Sequence, residues 1–319
     1  MAYAKLSDLS VQMPEGAWRR IVVRLRDAVG RKTRFLEVDG LRHRAAPVLE
    51  NALLGAIRDF APDVVIVSSV DRWAWRRISD ACNAQRIPTI LYIREESSLK
   101  HLATGALPTR LVANTPSLAH RLRADGHRCD FIPSVVDLTR VSGETSRTTA
   151  LAINPTFIKG ADVIWRLAEM LPSIPFVLQE AWPLDPAERA KVAQRCDQLS
   201  NVEFRHAQPP GPDLYSDARV LLAPYRVDSR PRVVLEAQAN GIPVLGSDLP
   251  ALVEAIGLGG LTMPVANTGP WVDALQRLWD DDGYYASLVA AARLHGQRPE
   301  VSAPVVTDLI EALLTELAS

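Results

Sequence analysis

Short apolar runs alternate with longer mixed stretches along most of this chain. Val64, Val65, Ile66 and Val67 follow one another with no period of two. A run of that kind is a strand buried on both faces, as in a parallel sheet. Residues 63–68 are therefore read as a strand, with shorter ones at 34–38, 89–93, 111–113 and 131–132. The stretches between them, 46–60, 73–85 and 116–125, are read as helices. Thr115 or Ser117 is the candidate cap of the last of these, and Gly126 its stop. Residues 1–14 make a poor strand.

Residues 138–149 are polar, rich in Ser, Thr, Gly and charge, and read as an interdomain linker. The alternation then restarts. Strands are expected at 150–153, 176–179, 202–205, 220–223 and 242–245. Helices are expected at 160–170, 186–199, 233–240 and 249–256, with a helical turn at 215–217. Three helices, 271–280, 284–295 and 305–317, close the chain. Two runs of strand–helix units predict an α/β protein of two doubly wound parallel-sheet domains, 1–140 and 141–300, with a terminal segment 301–319. The alternative is one large parallel-sheet domain. No internal repeat is visible.

Composition narrows the function. A net charge of −1 argues against a nucleic-acid partner. No stretch reaches 18 uninterrupted apolar residues, so no membrane span is expected. The first residues lack a basic-then-apolar signal pattern. Cys82, Cys129 and Cys196 are far apart without metal spacing, which predicts reduced, partly buried thiols in a cytoplasmic protein. Charge is uneven, with ten Lys/Arg and six Asp/Glu in residues 1–50. A helix at 15–29 would place Trp18, Ile21, Val22, Leu25 and Val29 on one face and Arg19, Arg20 and Arg24 on the other. That basic face is a solvated surface, or a weak, reversible contact with anionic lipid at the inner face of the membrane.

The densest information lies in residues 228–254. Asp228 is followed after seven residues by Glu236, on a helix that ends at Asn240 and Gly241. The strand from Ile242 follows. Loop–helix–strand units at the carboxyl edge of a parallel sheet bind nucleotides.

This run resembles the signature of the retaining nucleotide-sugar glycosyltransferases of the GT-B fold, the large family 4 (glycosyl transferases group 1). That family reads Glu, seven residues, Glu, Ala, then Gly-x-Pro-Val. Four further anchors fall in the family's order: Leu111 to Ala119, Phe131 to Asp137, Asn154 to Gly160, and Tyr215 to Pro224. The likeness covers about 111–264 and is weak before that. It implies two facing Rossmann-like domains, the first of them shortened, and a last helix that packs back on the first domain. Gly16, within Glu15-Gly-Ala-Trp18, stands where the family has a Gly-rich loop on the acceptor side.

Physical chemistry fits roles to these residues. A nucleoside-diphosphate sugar carries about two negative charges that a site must hold. Lys159 and Gly160 stand between a strand and a helix start, where a lysine reaches a phosphate and the helix dipole assists. Alone, Lys159 would read as a surface lysine. The family often has an arginine shortly before this lysine, and none appears here. Arg230 and Arg232 are the candidate replacements, because with Ser229 they form the loop that delivers backbone N–H groups to phosphates. Arg232 lies either there or on the solvent side of its helix. Glu236 begins a turn among apolar neighbours, and a carboxylate there needs donors. The resemblance implies that ribose hydroxyls supply them; an exposed helix acid is the alternative. Asp228 replaces the family's first Glu, which lies near the transferred sugar, and is otherwise a helix cap. Tyr225 and residues 206–210 lie where the base is chosen. Arg94, Glu95 and Glu96 follow the strand 89–93, where relatives often place a His. Glu95 binds an acceptor or sugar hydroxyl there, or the three form a salt-bridged loop. His101 reads as a helix-surface residue.

No Asp-x-Asp metal motif is present, since the run Asp280 to Asp282 reads as a solvated turn, and the histidines show no ligand spacing. The expectation is a metal-free retaining hexosyltransferase with no cofactor. Its donor is a nucleotide sugar and its acceptor a saccharide or lipid-linked saccharide. Asp228, Lys159 and Glu95 are its catalytic candidates, and Arg94 and Glu96 lie on the acceptor side with Gly16. The runner-up among enzymes is a nucleotide-sugar epimerase. The runner-up from another class is a non-catalytic relative that binds a nucleotide sugar or a partner transferase.

Overall fold

A computed structural model describes residues 2–5, 34–38, 41–46, 54, 55, 57, 60–68, 70–181, 184–207 and 211–318. They fall into two compact units. Unit 1 comprises Met1–Ala113, Ala119–Phe131 and Ile310–Ser319; unit 2 comprises Asn114–Leu118 and Ile132–Leu309.

Among the described residues, unit 1 holds two sheets. In the first, β1 (Ala2–Lys5) runs parallel to β3 (Leu41–Ala46), and β2 (Arg34–Val38) runs antiparallel to β3. Two expectations change here. Residues 2–5 form a strand despite their weak pattern, and Ala46 ends a strand rather than opening a helix. The second sheet is parallel, in the order β4 (Val65–Val67), β5 (Thr89–Ile93), β6 (Arg110–Ala113) and β7 (Cys129–Phe131). Helix α1 (Arg72–Ala84) connects β4 to β5. Asp71 caps it by accepting from the Trp73 and Ala74 N–H groups, and Trp75 is fully buried with its indole N–H donating to the Ala106 carbonyl at 2.9 Å. Helix α2 (Pro116–Ala124) leads to β7.

His101 is a correction. It is 3% exposed, and its ring nitrogens contact the Ser98 and Val70 carbonyls. A 3-10 helix over Glu96–Thr104 turns it inward. The closing residues of helix α10 (Ala303–Ala318) also belong to unit 1, where Glu316 pairs with Arg110 and Arg128.

Unit 2 is one six-stranded parallel sheet, ordered β10-β9-β8-β11-β12-β13. The strands are β8 (Thr149–Ile153), β9 (Phe176–Gln179), β10 (Val202–Arg205), β11 (Ala218–Ala223), β12 (Val244–Ser247) and β13 (Gly260–Met263). β13 was not expected from the sequence. Alternate strand residues feed two cores. Ala150, Ala152, Val220 and Leu222 pack against α4 (Ala161–Met170), α8 (Gly269–Asp280) and α9 (Asp282–Gly296). Leu151, Ile153, Leu221 and Ala223 pack against α6 (Arg232–Ala239) and α7 (Pro250–Ile256). Helix α5 (Pro186–Cys196) adds Val192 to the first core. The doubly wound α/β fold class expected from the alternation is therefore present.

The polar stretch 138–149 is structured rather than loose. It opens with a short helix, α3 (Leu138–Val141), capped by Asp137. Asn240 then clamps it: its Oδ1 accepts from Gly143 N–H at 2.8 Å, and its Nδ2 donates to the Val141 carbonyl at 3.0 Å. Arg147 donates to the Gly241 and Asn240 carbonyls at the end of α6. All of this lies within unit 2.

The three thiols are free, and burial raises each to about 11, which makes them poor nucleophiles. No helix of the described residues is long and apolar enough to cross a membrane. The basic face at Arg19, Arg20 and Arg24 lies outside the described residues, as does Gly16.

Asn240→Ala would leave the buried Val141 carbonyl and the part-buried Gly143 N–H without their side-chain partner. We expect a loss of about 2–4 kcal/mol, read as a lower urea midpoint at unchanged slope. A loss under about 0.5 kcal/mol would contradict the clamp.

Candidate active site

The strand order of unit 2 reverses between β8 and β11, which lie side by side while their chains continue to opposite sides. Parallel sheets bind ligands outside the carboxyl ends of the strands at such a switch. The loops after β8 and β11 are therefore the place to look.

Asn154 closes β8 in a left-handed conformation at φ +53°, and its Oδ1 accepts from Ala181 N–H at 3.0 Å. One turn of 3-10 helix follows, Phe157–Lys159, and ends at Gly160. Gly160 stands at φ +75°, and a Cβ there would lie 2.0 Å from the Pro224 carbonyl oxygen. Only glycine lets the two loops approach this closely. Gly160 also caps α4, and no side chain performs that task.

The β11 loop answers the contact. Arg226 N–H donates to the Ile158 carbonyl at 2.9 Å, and its guanidinium donates to the Phe157 carbonyl and forks onto Asp162 at 2.7 and 2.8 Å. Lys159 Nζ stands 3.8 Å from the centre of the Tyr225 ring.

Glu236, on α6, is half-buried, and its Oε2 accepts from the Tyr215 hydroxyl at 2.6 Å. Tyr215 is 1% exposed and Tyr225 3% exposed. Burial, then the Glu236 charge, pushes both phenols above their ordinary range. They act as neutral groups at all physiological pH values.

The remaining residues divide. Asp228 Oδ1 accepts from Ala251 N–H at 2.9 Å, so this carboxylate caps the first turn of α7. Arg230 is 7% exposed and donates to the Asn114 carbonyl at 3.2 Å, in the field of Arg298. Ser229 is half-buried beside it, and Arg232 is exposed at the start of α6. Lys159, Gly160, Tyr225 and Glu236 thus form one assembly, with Asp228 anchored to α7. In unit 1, Arg94 and Glu95 are exposed at the carboxyl end of β5, and Glu95 and Glu96 open the 3-10 helix. Among the described residues, no three His, Cys, Asp or Glu side chains group as metal ligands.

Three residues of this region, Asn154, Tyr215 and Arg226, were given no site role from the sequence. Asn154 carried a partial signal, since Asn tolerates left-handed backbone, although the proline after it biases the position toward extended backbone. Tyr215 and Arg226 carried none, because their partners lie 21 and 64 residues away in the chain.

Residues 183–281 match the family Glycosyl transferases group 1. The chain is 29% identical over 232 residues to a D-inositol 3-phosphate glycosyltransferase of Arthrobacter, covering 64% of this chain and 54% of that protein. It spans about half the length of the curated relatives it matches. Among solved structures, the sucrose-phosphate synthase of Thermosynechococcus elongatus superposes with a TM-score of 0.73 over 99% of this chain and 98% of that one, at 15% identity. Anabaena Alr3699/HepE in complex with UDP-glucose gives 0.70 over 85% of this chain and 82% of that one, at 15% identity. The fold is therefore GT-B.

Gly160→Ala combines left-handed backbone with a contact against Pro224. We expect a loss of at least about 2 kcal/mol in urea unfolding. A variant as stable as the wild type would show that the two loops are not in fixed contact.

Proposed function

We propose that this chain, whose residues 183–281 match the family Glycosyl transferases group 1, binds a nucleoside-diphosphate sugar and transfers its hexose with retention, without a metal. The observation that carries this reading is the placement of Lys159 and Glu236 on the segments following β8 and β11, either side of the strand-order switch. Lys159 and the N-terminus of α4 hold the diphosphate, and Glu236 accepts from the ribose hydroxyls. The leaving phosphate oxygen takes the proton of the acceptor hydroxyl on the same face of the sugar. The protein then contributes position and charge rather than a nucleophile.

Asp228 serves the sugar end while its Oδ1 holds α7 in place. Glu95, Arg94, Glu96 and Gly16 are read on the acceptor side. The acceptor is a saccharide or lipid-linked saccharide. The relatives named D-inositol 3-phosphate glycosyltransferases add a phosphorylated cyclitol to the acceptors worth testing. UDP sugars are the first donors to test, since HepE was solved with UDP-glucose. A cytoplasmic setting, with weak membrane contact through Arg19, Arg20 and Arg24, belongs to the same proposal.

A thermal-shift screen with UDP, GDP and their glucose esters, in the presence of EDTA, tests the reading. A ligand at 100 times its dissociation constant adds about 2.7 kcal/mol. No shift with any of them would end the proposal, and an inverted product anomer would end its retaining part.

Variants separate the roles. Glu236→Ala should weaken nucleotide binding about 10- to 100-fold and also cost stability, because it orphans the Tyr215 hydroxyl. Tyr215→Phe should leave nucleotide affinity within about three-fold. Equal losses from the two would make Glu236 a structural group only. Asp228→Asn keeps an acceptor for Ala251 N–H, so stability should hold within about 1 kcal/mol while turnover falls. Unchanged turnover would reduce Asp228 to its capping role.

A further inference from the structure

We propose that Tyr225 is a positioning residue that holds the Lys159 ammonium ready for the diphosphate. This inference rests on the nucleotide-sugar reading above. Three observations carry it. Lys159 Nζ lies 3.8 Å from the Tyr225 ring centre, well inside the range of cation–π attraction. The Tyr225 side chain is itself almost wholly buried, so the ring is fixed by its surroundings and offers a ligand little surface. The backbones beneath both groups are tied together, since Arg226, the next residue, donates its N–H to the Ile158 carbonyl, the residue before Lys159. The two backbone segments are therefore held side by side, with the ring within reach of the ammonium.

The chemistry favours a ring over a carboxylate in this place. A lysine has a flexible four-carbon stem and loses rotamer freedom when it grips an anion. Holding the ammonium beforehand removes part of that cost. A carboxylate would hold it too, but would cancel the charge that the diphosphate needs. A neutral aromatic face attracts the cation and leaves its charge whole. The Tyr225 phenol stays protonated, because burial and the nearby Glu236 carboxylate both oppose its ionisation. Tyr225 therefore acts on phosphate affinity and leaves the nucleoside end to Glu236.

The test is a set of affinities for uridine, UMP and UDP, with the guanine series in parallel, measured by calorimetry. The proteins are the wild type, Tyr225→Phe, Tyr225→Leu, Lys159→Ala and the double variant Lys159→Ala, Tyr225→Leu. Tyr225→Phe keeps the ring and should keep the gain in affinity from nucleoside to diphosphate. Tyr225→Leu removes the ring while keeping an apolar side chain and should lose about ten-fold of that gain, with nucleoside affinity unchanged. In the Lys159→Ala background, Tyr225→Leu should have no further effect on that gain. Equal loss of nucleoside and diphosphate affinity in Tyr225→Leu, or no loss of either, overturns the inference while the nucleotide-sugar reading stands. So does an undiminished effect in the Lys159→Ala background. A wild type that binds no diphosphate overturns the reading and the inference together.

Discussion

The site depends on one close approach. The backbone of Gly160 lies so near the Pro224 carbonyl that no side chain fits between them. That approach brings the β8 and β11 loops into register at the point where the sheet changes direction. Arg226 then stitches them with its backbone N–H and its guanidinium. Lys159 and Tyr225 meet because of this, although 66 residues of sequence separate them. The left-handed glycine and the end of β11 are thus parts of one device.

A second constraint governs charge. Two tyrosines, each almost without exposure, stand against the two charged groups of the site. Tyr215 donates to Glu236, and Tyr225 lies under Lys159. Burial keeps both phenols neutral, so neither adds a competing charge. A buried hydroxyl must find an acceptor, and Glu236 serves Tyr215 in that way. The carboxylate is thereby held in one orientation before any ligand arrives. Preorganised groups of this kind lose less entropy on binding.

Much of this was legible in the sequence, and the reasons differ by element. The core strands of unit 2 are unbroken apolar runs, and their pattern survives any context. The Asp228 to Glu236 spacing, with Gly241 and Pro243 behind it, marked the loop and helix of the site. Other features were hidden. β13 begins with Gly260 and has a mixed pattern, so only its pairing with β12 makes it a strand. The antiparallel pair β2–β3 was signalled by Asp39 and Gly40, a hairpin-favouring pair that the expected strand–helix alternation passed over. The polar run 138–149 looked like a linker because its anchors, Asn240 and the α6 carbonyls, lie about 100 residues away. His101 turned inward for the same reason, since its partner carbonyl at Val70 is 31 residues distant. The capping of α7 by Asp228 is likewise a tertiary contact that spacing alone does not reveal.

The central claim is that a nucleoside diphosphate sits at the β8–β11 switch of unit 2. A crystal structure of the full chain soaked with UDP-glucose or GDP-glucose tests it most directly. The account predicts the diphosphate beside Lys159 and the first turn of α4, with the ribose hydroxyls within about 3 Å of the Glu236 carboxylate. A nucleotide held away from both residues, with Lys159 and Glu236 in contact only with protein, would contradict it.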